Sequence, residues 1–221
     1  MGLCYNARMR NRLSSRTDSV DLLARLMATE DISVRHDINA PTASFDMKDR
    51  LLTLPVWEDM SSNLYDMLVG HEVAHALYTP AIATDEEFIA DLRKVCSNLG
   101  IAKQYINVVE DARIERKIKT KFPGLRNDFR IGYGQMDERG FFSIEGTLVQ
   151  DLPLIDRLNI HFKPGIHCGV EVPFSADEQQ FVDRMSSTET WDEVLTLSYD
   201  LVQWSVDMDE SEKQAEQENG D

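Results

Sequence analysis

The chain has 221 residues, with 23 Lys and Arg against 39 Asp and Glu, which gives a formal net charge of −16. The hydrophobic fraction of 42% is enough for a core, while no apolar run is long enough to span a membrane. The acidic balance argues against nucleic acid as a main ligand, because phosphate binding needs clustered Lys and Arg. Three widely spaced cysteines exclude a disulfide framework or a four-cysteine zinc site, and they favour a reducing, cytoplasmic location.

The two ends of the chain differ in charge from the rest. Residues 1–17 include four arginines and no acidic residue, and we interpret them as a basic N-terminal arm. Residues 207–221 contain seven acidic residues and one lysine, a composition that predicts a disordered acidic tail or linker. We therefore expect the folded domain to occupy residues 18–206.

Helical patterns dominate this predicted domain. Apolar spacing and capping residues predict helices over 18–28, 61–78, 85–98, 101–121, 126–137, 151–162, 175–186 and 189–206. Gly100 is expected to close the helix over 85–98. Strand patterns are confined to residues 32–55, where 42–54 predict two short strands and Pro55 ends the second or marks it as an edge. The predicted fold class is α+β, mostly helical, with a small early sheet.

The most informative residues form an H-E-x-x-H motif, His71-Glu72-Val73-Ala74-His75, inside a predicted helix. His71 and His75 are one turn apart, so both imidazoles lie on one side of the helix and can bind one ion. Glu72 lies about 100° around the helix, beside the metal rather than on it, where a carboxylate can polarise a metal-bound water. The alternative is a pair of core histidines with a salt-bridged glutamate, each needing a hydrogen-bond partner.

A catalytic zinc ion needs a third protein ligand. The metzincin spacing would place a histidine at position 81, which is Ala81, so that class is excluded. In the helix over 101–121, Glu110 interrupts an apolar stripe between Ile106 and Ile114. A buried carboxylate needs a cation or a metal. We therefore predict Glu110 as the third ligand, with a buried ion pair to Arg113 as the alternative.

Asp111 is the chief alternative to Glu110 as a ligand. Its neighbours four residues before and after are Asn107 and Glu115, a more polar surrounding. Asp111 is therefore expected to lie beside the metal and to orient a histidine N–H, or to replace Glu110 as the ligand. The residues in this supporting or alternative set are Asp111, Asn107, Arg113 and Glu115.

These motifs support a family resemblance. The sequence G-H-E-V-A-H-A-L-Y-T-P, followed by N-V-V-E-D-A-R-I-E-R and F-P-G-L-R, resembles the zincin metallopeptidases with a glutamate third ligand. More narrowly, it resembles the peptidase-like region of phage-type proteins that contain a von Willebrand factor A domain. Those proteins are similar to nitric-oxide reductase accessory proteins and to the cobaltochelatase T subunit. The runs A-S-F-D-M-K-D-R-L-L-T-L-P and L-I-D-R-L-N-I-H-F-K extend the resemblance over residues 35–205.

The resemblance implies a zincin-like fold and a zinc-dependent endopeptidase. Zinc held by His71, His75 and Glu110 would lower the pKa of its water toward about 7, and Glu72 would act as general base. An edge strand next to the motif helix would hold the peptide, and here it would comprise Arg50, Leu51, Leu52, Thr53 and Leu54. The candidate donors to the oxyanion are Tyr105, Tyr133, His161 and His167.

The resemblance also permits a second function, a non-hydrolytic metal-binding adaptor domain. Such a domain would work with a MoxR-type AAA+ ATPase or a von Willebrand factor A partner, and residues 207–221 would be the linker to that partner. Glu72 favours hydrolysis, because a purely structural metal needs no base beside it. The expected location is the cytoplasm, that of the host cell if the protein is phage-encoded.

Overall fold

The computed structural model describes residues 32–81, 85–142 and 148–219, and within them the fold is α+β and mostly helical, as predicted. The basic arm over 1–17 and the helix predicted over 18–28 lie outside the described residues. The elements are β1 Ser33–Asp37, β2 Ser44–Asp46, β3 Leu51–Pro55, α1 Ser62–Tyr78, α2 Asp85–Val95, α3 Leu99–Lys121, α4 Leu125–Glu138, α5 Leu154–Ile160, α6 Ile166–Cys168, α7 Ala176–Ser187 and α8 Trp191–Asn219. A 3-10 turn at Val149–Asp151 precedes α5, and a π-helical turn at His161–Gly165 joins α5 to α6.

The strands form a sheet in the order β1-β3-β2, with β1 parallel and β2 antiparallel to β3. The prediction that residues 50–54 form an edge strand is therefore wrong, because β3 is the central strand. Leu52 pairs with Val34 on one side and with Phe45 on the other. Leu52 and Leu54 on one face are fully buried, and Thr53 on the other face is also buried, so β3 is covered on both faces. The edge strand that contacts α1 is β2.

Helix α1, which contains the H-E-x-x-H motif, has the predicted ends. The Ser61 hydroxyl accepts a 3.1 Å hydrogen bond from the Leu64 amide and caps the first turn. At the other end the Thr79 amide donates to the His75 carbonyl, and Pro80 cannot continue the helix. The local sequence therefore fixes the position of both histidines near the carboxyl end of α1.

Helix α3 is shared by two hydrophobic cores. Its second half contributes Ile114 and Ile118 to a core formed with the sheet, α1 and α4. Its first half contributes Ile106 and Val109 to a core formed with α2, α5, α7 and α8. The side chain of Asn98 caps α3, so Gly100 lies in the first turn of α3 and does not close α2, which ends at Val95.

Helix α8 extends to Asn219, so the prediction of a disordered tail is wrong for residues 207–219. The segment has no proline and no glycine before Gly220, and it is rich in Glu and Gln. These residues have high helix propensity and extend a helix that is already anchored, even where little is buried. None of the described helices combines the length and apolar content needed to cross a membrane.

Candidate metal centre

Helices α1 and α3 bring three potential metal ligands together. One ligand atom from each of His71, His75 and Asp111 lies within 4.8 Å of the other two. The Oδ1 atom of Asp111 is 3.3 Å from Nε2 of His75 and 3.7 Å from Nε2 of His71. His75 lies in the last turn of α1, where the helix dipole is negative and favours a cation.

This spacing fits a tetrahedral zinc ion. Zinc–nitrogen and zinc–oxygen bonds of about 2.0–2.1 Å place neighbouring tetrahedral ligands roughly 3.3–3.4 Å apart. The distance from Asp111 to His75 agrees with that value, and the distance to His71 exceeds it by a few tenths of an ångström. Two imidazole nitrogens and one carboxylate oxygen are also the donor types that zinc accepts. The three side chains therefore fit the metal that the sequence predicts.

The orientation of His71 is fixed by Glu115. The Nδ1 atom of His71 lies 3.0 Å from Oε1 of Glu115, and a carboxylate can only accept a hydrogen bond. Nδ1 therefore donates, which leaves Nε2 as the atom that faces Asp111. The buried Glu115 carboxylate also accepts from the Tyr133 hydroxyl and from Lys119 Nζ. Carboxylate–histidine pairs of this kind orient metal-binding imidazoles.

The orientation of His75 is fixed by a chain of two hydrogen bonds. The Thr79 hydroxyl donates a 2.6 Å hydrogen bond to Oε1 of Glu110. Because its only proton is used in this bond, the Thr79 oxygen can only accept a second hydrogen bond. Its donor is Nδ1 of His75, 3.0 Å away. Nε2 of His75 is then the nitrogen that faces Asp111. Both histidines thus present the same ring nitrogen to the candidate site.

This geometry contradicts the prediction of Glu110 as the third ligand. The Arg113 guanidinium donates to both Glu110 oxygens, at 2.7 Å each, and the two residues are only 2% and 4% exposed. The alternative, a buried ion pair between Glu110 and Arg113, is the arrangement observed. Asp111, the alternative ligand, occupies the third position, because one residue along α3 turns the side chain by about 100° toward α1.

Lys163 is a site residue that the sequence analysis missed. Its Nζ donates a 2.9 Å hydrogen bond to Oδ2 of Asp111, which leaves Oδ1 directed at the histidines. The lysine is placed by the π-helical turn at His161–Gly165, and such turns are frequent at functional sites. The signal in the sequence was the run L-I-D-R-L-N-I-H-F-K, which belongs to the family resemblance and ends at Lys163.

Glu72 is buried close enough to both histidines for their charges to lower its pKa. It is 7% exposed, and no described group donates a hydrogen bond to its carboxylate. Burial raises the pKa of Glu72, against the lowering effect of the neighbouring His71 and His75. A carboxylate that is desolvated, unpaired and close to both imidazoles is suited to accept and return a proton.

Burial and the surrounding charges act in opposite directions on the pKa of His71. Burial alone lowers the pKa, but the charge of Asp111, the hydrogen bond to Glu115 and the charge of Glu72 outweigh burial and raise the pKa to about 9. Burial would raise the pKa of Glu115, but Lys119 and His71 lower it to about 2. The centre therefore attracts a proton when no metal is present, and it would equally attract a divalent cation.

The four predicted oxyanion donors are not gathered at the centre. Tyr105 pairs its hydroxyl with Ser205 in the second core, so the prediction is wrong for this residue. The His161 ring packs against Phe162 and Phe174. The other two donors lie behind Glu115: the Tyr133 hydroxyl donates to it, and His167 stacks on the Tyr133 ring with centroids 5.5 Å apart.

The remaining predicted site residues have structural positions. Asn107 is exposed on α3 and is not part of the ligand group. In β3, Thr53 accepts a hydrogen bond from Arg35, and its backbone is paired on both sides. Arg50 donates a 3.1 Å hydrogen bond to the Ala76 carbonyl and so ties the sheet to α1. The residues of β3 thus support the motif helix and do not form a free edge.

No protein-family model, no curated protein and no solved structure matches this chain. The resemblance to zincins therefore stays a prediction.

Proposed function

We propose that the protein is a zinc-dependent endopeptidase whose metal ligands are His71, His75 and Asp111. The observation that supports this most strongly is the matched orientation of the two histidines. Glu115 and Thr79 each hold an Nδ1 atom, so that both Nε2 atoms face Oδ1 of Asp111. Two independent hydrogen-bond systems with the same outcome are expected of a metal site, whereas core histidines need only one partner each.

Glu72 would be the general base of the reaction. Zinc, when bound, would supply a Lewis acid that polarises the peptide carbonyl and acidifies water. Glu72 takes a proton from the attacking water and delivers it to the departing amine. Its burial and its lack of a hydrogen-bond donor keep its proton affinity above that of an exposed glutamate.

Lys163 and Glu115 would hold the ligands and take no part in proton transfer. Lys163 binds the outer oxygen of Asp111, which keeps the carboxylate monodentate toward the histidines. Glu115 fixes the ring of His71 and is itself fixed by Tyr133 and Lys119. The substrate would lie against β2, the edge strand that contacts α1.

The test compares the wild-type chain with Glu72→Gln in a mass-spectrometric assay on a library of proteome-derived peptides. Elemental analysis should give about one zinc per chain in both proteins, since Glu72 is not a ligand. Cleavage should fall at least about a hundredfold in the variant, the range typical of a lost general base. Glu86→Gln, an exposed glutamate in α2, is the matched control and should cleave like the wild type.

Two outcomes would overturn the proposal. Wild-type protein that binds zinc but cleaves no peptide would leave the alternative, a non-hydrolytic metal-binding adaptor for an AAA+ ATPase or a von Willebrand factor A partner. Wild-type protein that binds no zinc even after zinc is added back would exclude both functions.

A further inference from the structure

A cationic pocket lies next to the candidate metal centre, formed by α3, α4, α7 and the turn into α6. Its volume is about 380 Å³. None of the described residues that line it is acidic, although the chain has a net charge of −16. The pocket is therefore an exception on an acidic protein, and its charge favours an anionic ligand. Its principal side chains are Arg116, Lys119, Arg126, Phe162, Ile166 and Met185.

The cations differ in how far they are already neutralised. Arg116 binds Glu189 through Nη1, and Lys119 binds Glu115, so both have acidic partners outside the pocket. Arg126 is exposed, and its described hydrogen bond is a long one of 3.4 Å from Nε to the Lys119 carbonyl. The structure shows no carboxylate bound to Arg126 among the described residues. Arg126 thus has a planar guanidinium available for an added anion.

Arg116 adds positive charge to the pocket but no free donor. Its Nη1 and Nη2 atoms bind Glu189 and the Thr188 carbonyl, and its Nε atom is buried, where an acceptor in the pocket cannot reach it. Arg126 is therefore the guanidinium that an added anion can contact.

The remaining wall of the pocket is apolar. Met185 belongs to the second hydrophobic core, and Phe162 packs against that core. Ile166 is 57% exposed at the rim of the pocket. A small inorganic anion would leave this apolar surface uncovered. An organic anion with an apolar body would bury Ile166 and Phe162 while its charged end reaches Arg126.

We propose that this pocket binds a carboxylate attached to an apolar group, with Arg126 as the charge-recognising donor and Phe162 and Ile166 as the apolar contacts. Two sources have this chemistry, a small organic acid and the carboxyl-terminal residue of a peptide with an apolar side chain. The proposal does not depend on catalysis at the metal centre, because none of the pocket residues is a candidate ligand.

The test is calorimetric titration of the full chain with 4-phenylbutyrate and with its neutral amide. The acid should bind at least about tenfold more tightly than the amide, the factor expected for one charge-assisted hydrogen bond. Acetyl-Gly-Gly-Phe with a free carboxylate, beside its amide, tests the peptide source. Tighter binding of the peptide acid than of phenylbutyrate assigns the pocket to peptide termini, and equal binding assigns it to small acids.

Two variants with a matched control locate the binding. Arg126→Gln should weaken binding of the acid about tenfold and leave binding of the amide unchanged. Ile166→Ser, at an exposed position, should weaken binding of both acid and amide. Arg130→Gln changes an exposed arginine one turn along α4, whose described bond is to Asn127, and should have no effect.

Three outcomes would overturn the proposal. Equal affinities for the acid and the amide would show that the pocket does not recognise the negative charge. Equal losses in Arg126→Gln and Arg130→Gln would indicate diffuse attraction and no defined pocket. Binding that disappears after treatment with EDTA would place the carboxylate on a metal ion, whereas binding in the pocket should survive that treatment.

Discussion

The hydroxyl of Thr79 donates a 2.6 Å hydrogen bond to Glu110. With its only proton used in this way, Thr79 is a pure acceptor for Nδ1 of His75. Glu110 in turn is held by two bonds from Arg113. A buried ion pair on α3 therefore controls which nitrogen a histidine on α1 presents to Asp111, although the pair itself does not enter the centre.

Thr79→Val should weaken zinc binding with little change in folding. Valine has the shape of threonine but accepts no hydrogen bond, so Nδ1 of His75 loses its partner. Loss of such an orienting group typically reduces metal affinity about 10–100-fold. Competition with a fluorescent zinc chelator measures the change. Thr79→Ser, which keeps the hydroxyl, is the control, and equal affinities of the Val and Ser variants would contradict the prediction.

Asp111→Asn and Glu110→Gln should separate metal binding from stability. Asp111→Asn removes the charged ligand, so we expect the zinc content to fall below about a tenth of an equivalent. Glu110→Gln leaves Arg113 buried without a charged partner and should cost about 3–5 kcal/mol of the free energy of unfolding. Elemental analysis and urea denaturation measure the two effects. If Glu110→Gln lost its zinc while its stability stayed unchanged, Glu110 and not Asp111 would be the ligand.

The metal-free chain should lose stability as the pH rises through about 9. The pKa of His71 is raised from 6.5 to about 9 in the folded state, so its protonation favours folding. This contribution is fully present below about pH 6.5 and is lost as the pH rises through 9. The measurement is the melting temperature of EDTA-treated protein between about pH 6 and 10. His71→Gln is the control, and a parallel decline in both proteins would show that His71 is not responsible.

Gly132→Ala should destabilise the protein, whereas Gly134→Ala on the same helix should not. A Cβ atom at Gly132 would lie 2.7 Å from Sδ and 2.9 Å from Cβ of Met67, so α1 and α4 would have to separate. We expect a net loss of about 1–2 kcal/mol, since overpacking exceeds the gain in helix propensity. At Gly134 the nearest atom is Cys168 Sγ at 3.7 Å, and stability should rise by up to about 1 kcal/mol. Urea denaturation measures both, and equal effects would contradict this view of the α1–α4 contact.

The local parts of the site could be predicted from the sequence, because their signals lie within one or two turns. Ser61 and Thr79-Pro80 define α1, and the spacing of its histidines defines their common face. Glu110, predicted as the third ligand, is one residue away from Asp111, which is the carboxylate grouped with the two histidines. The stripe of Ile106 and Ile114 correctly indicated that Glu110 is buried, but burial requires only a cation, and Arg113 supplies it three residues later.

The non-local parts could not be predicted. Lys163 meets Asp111 across 52 residues, and no spacing rule connects them. The central position of β3 depends on its pairing with β1 and β2. The hydrophobic pattern of the strands alone does not determine their order in the sheet. In residues 207–219 the composition fits either a solvated coil or the end of a long helix, and continuity with the anchored first half of α8 favours the helix.

The position of Asp111 on α3 links its orientation to the packing of both hydrophobic cores. Its helix is packed into the first core at Ile114 and into the second at Val109, so Asp111 lies between the two. A chain in which only the first core has formed would contain the histidine pair on α1 but would lack half of the support for α3. High-affinity binding of a metal ion would thus require the whole domain to be folded, because the full ligand set is held in place only when both cores have formed.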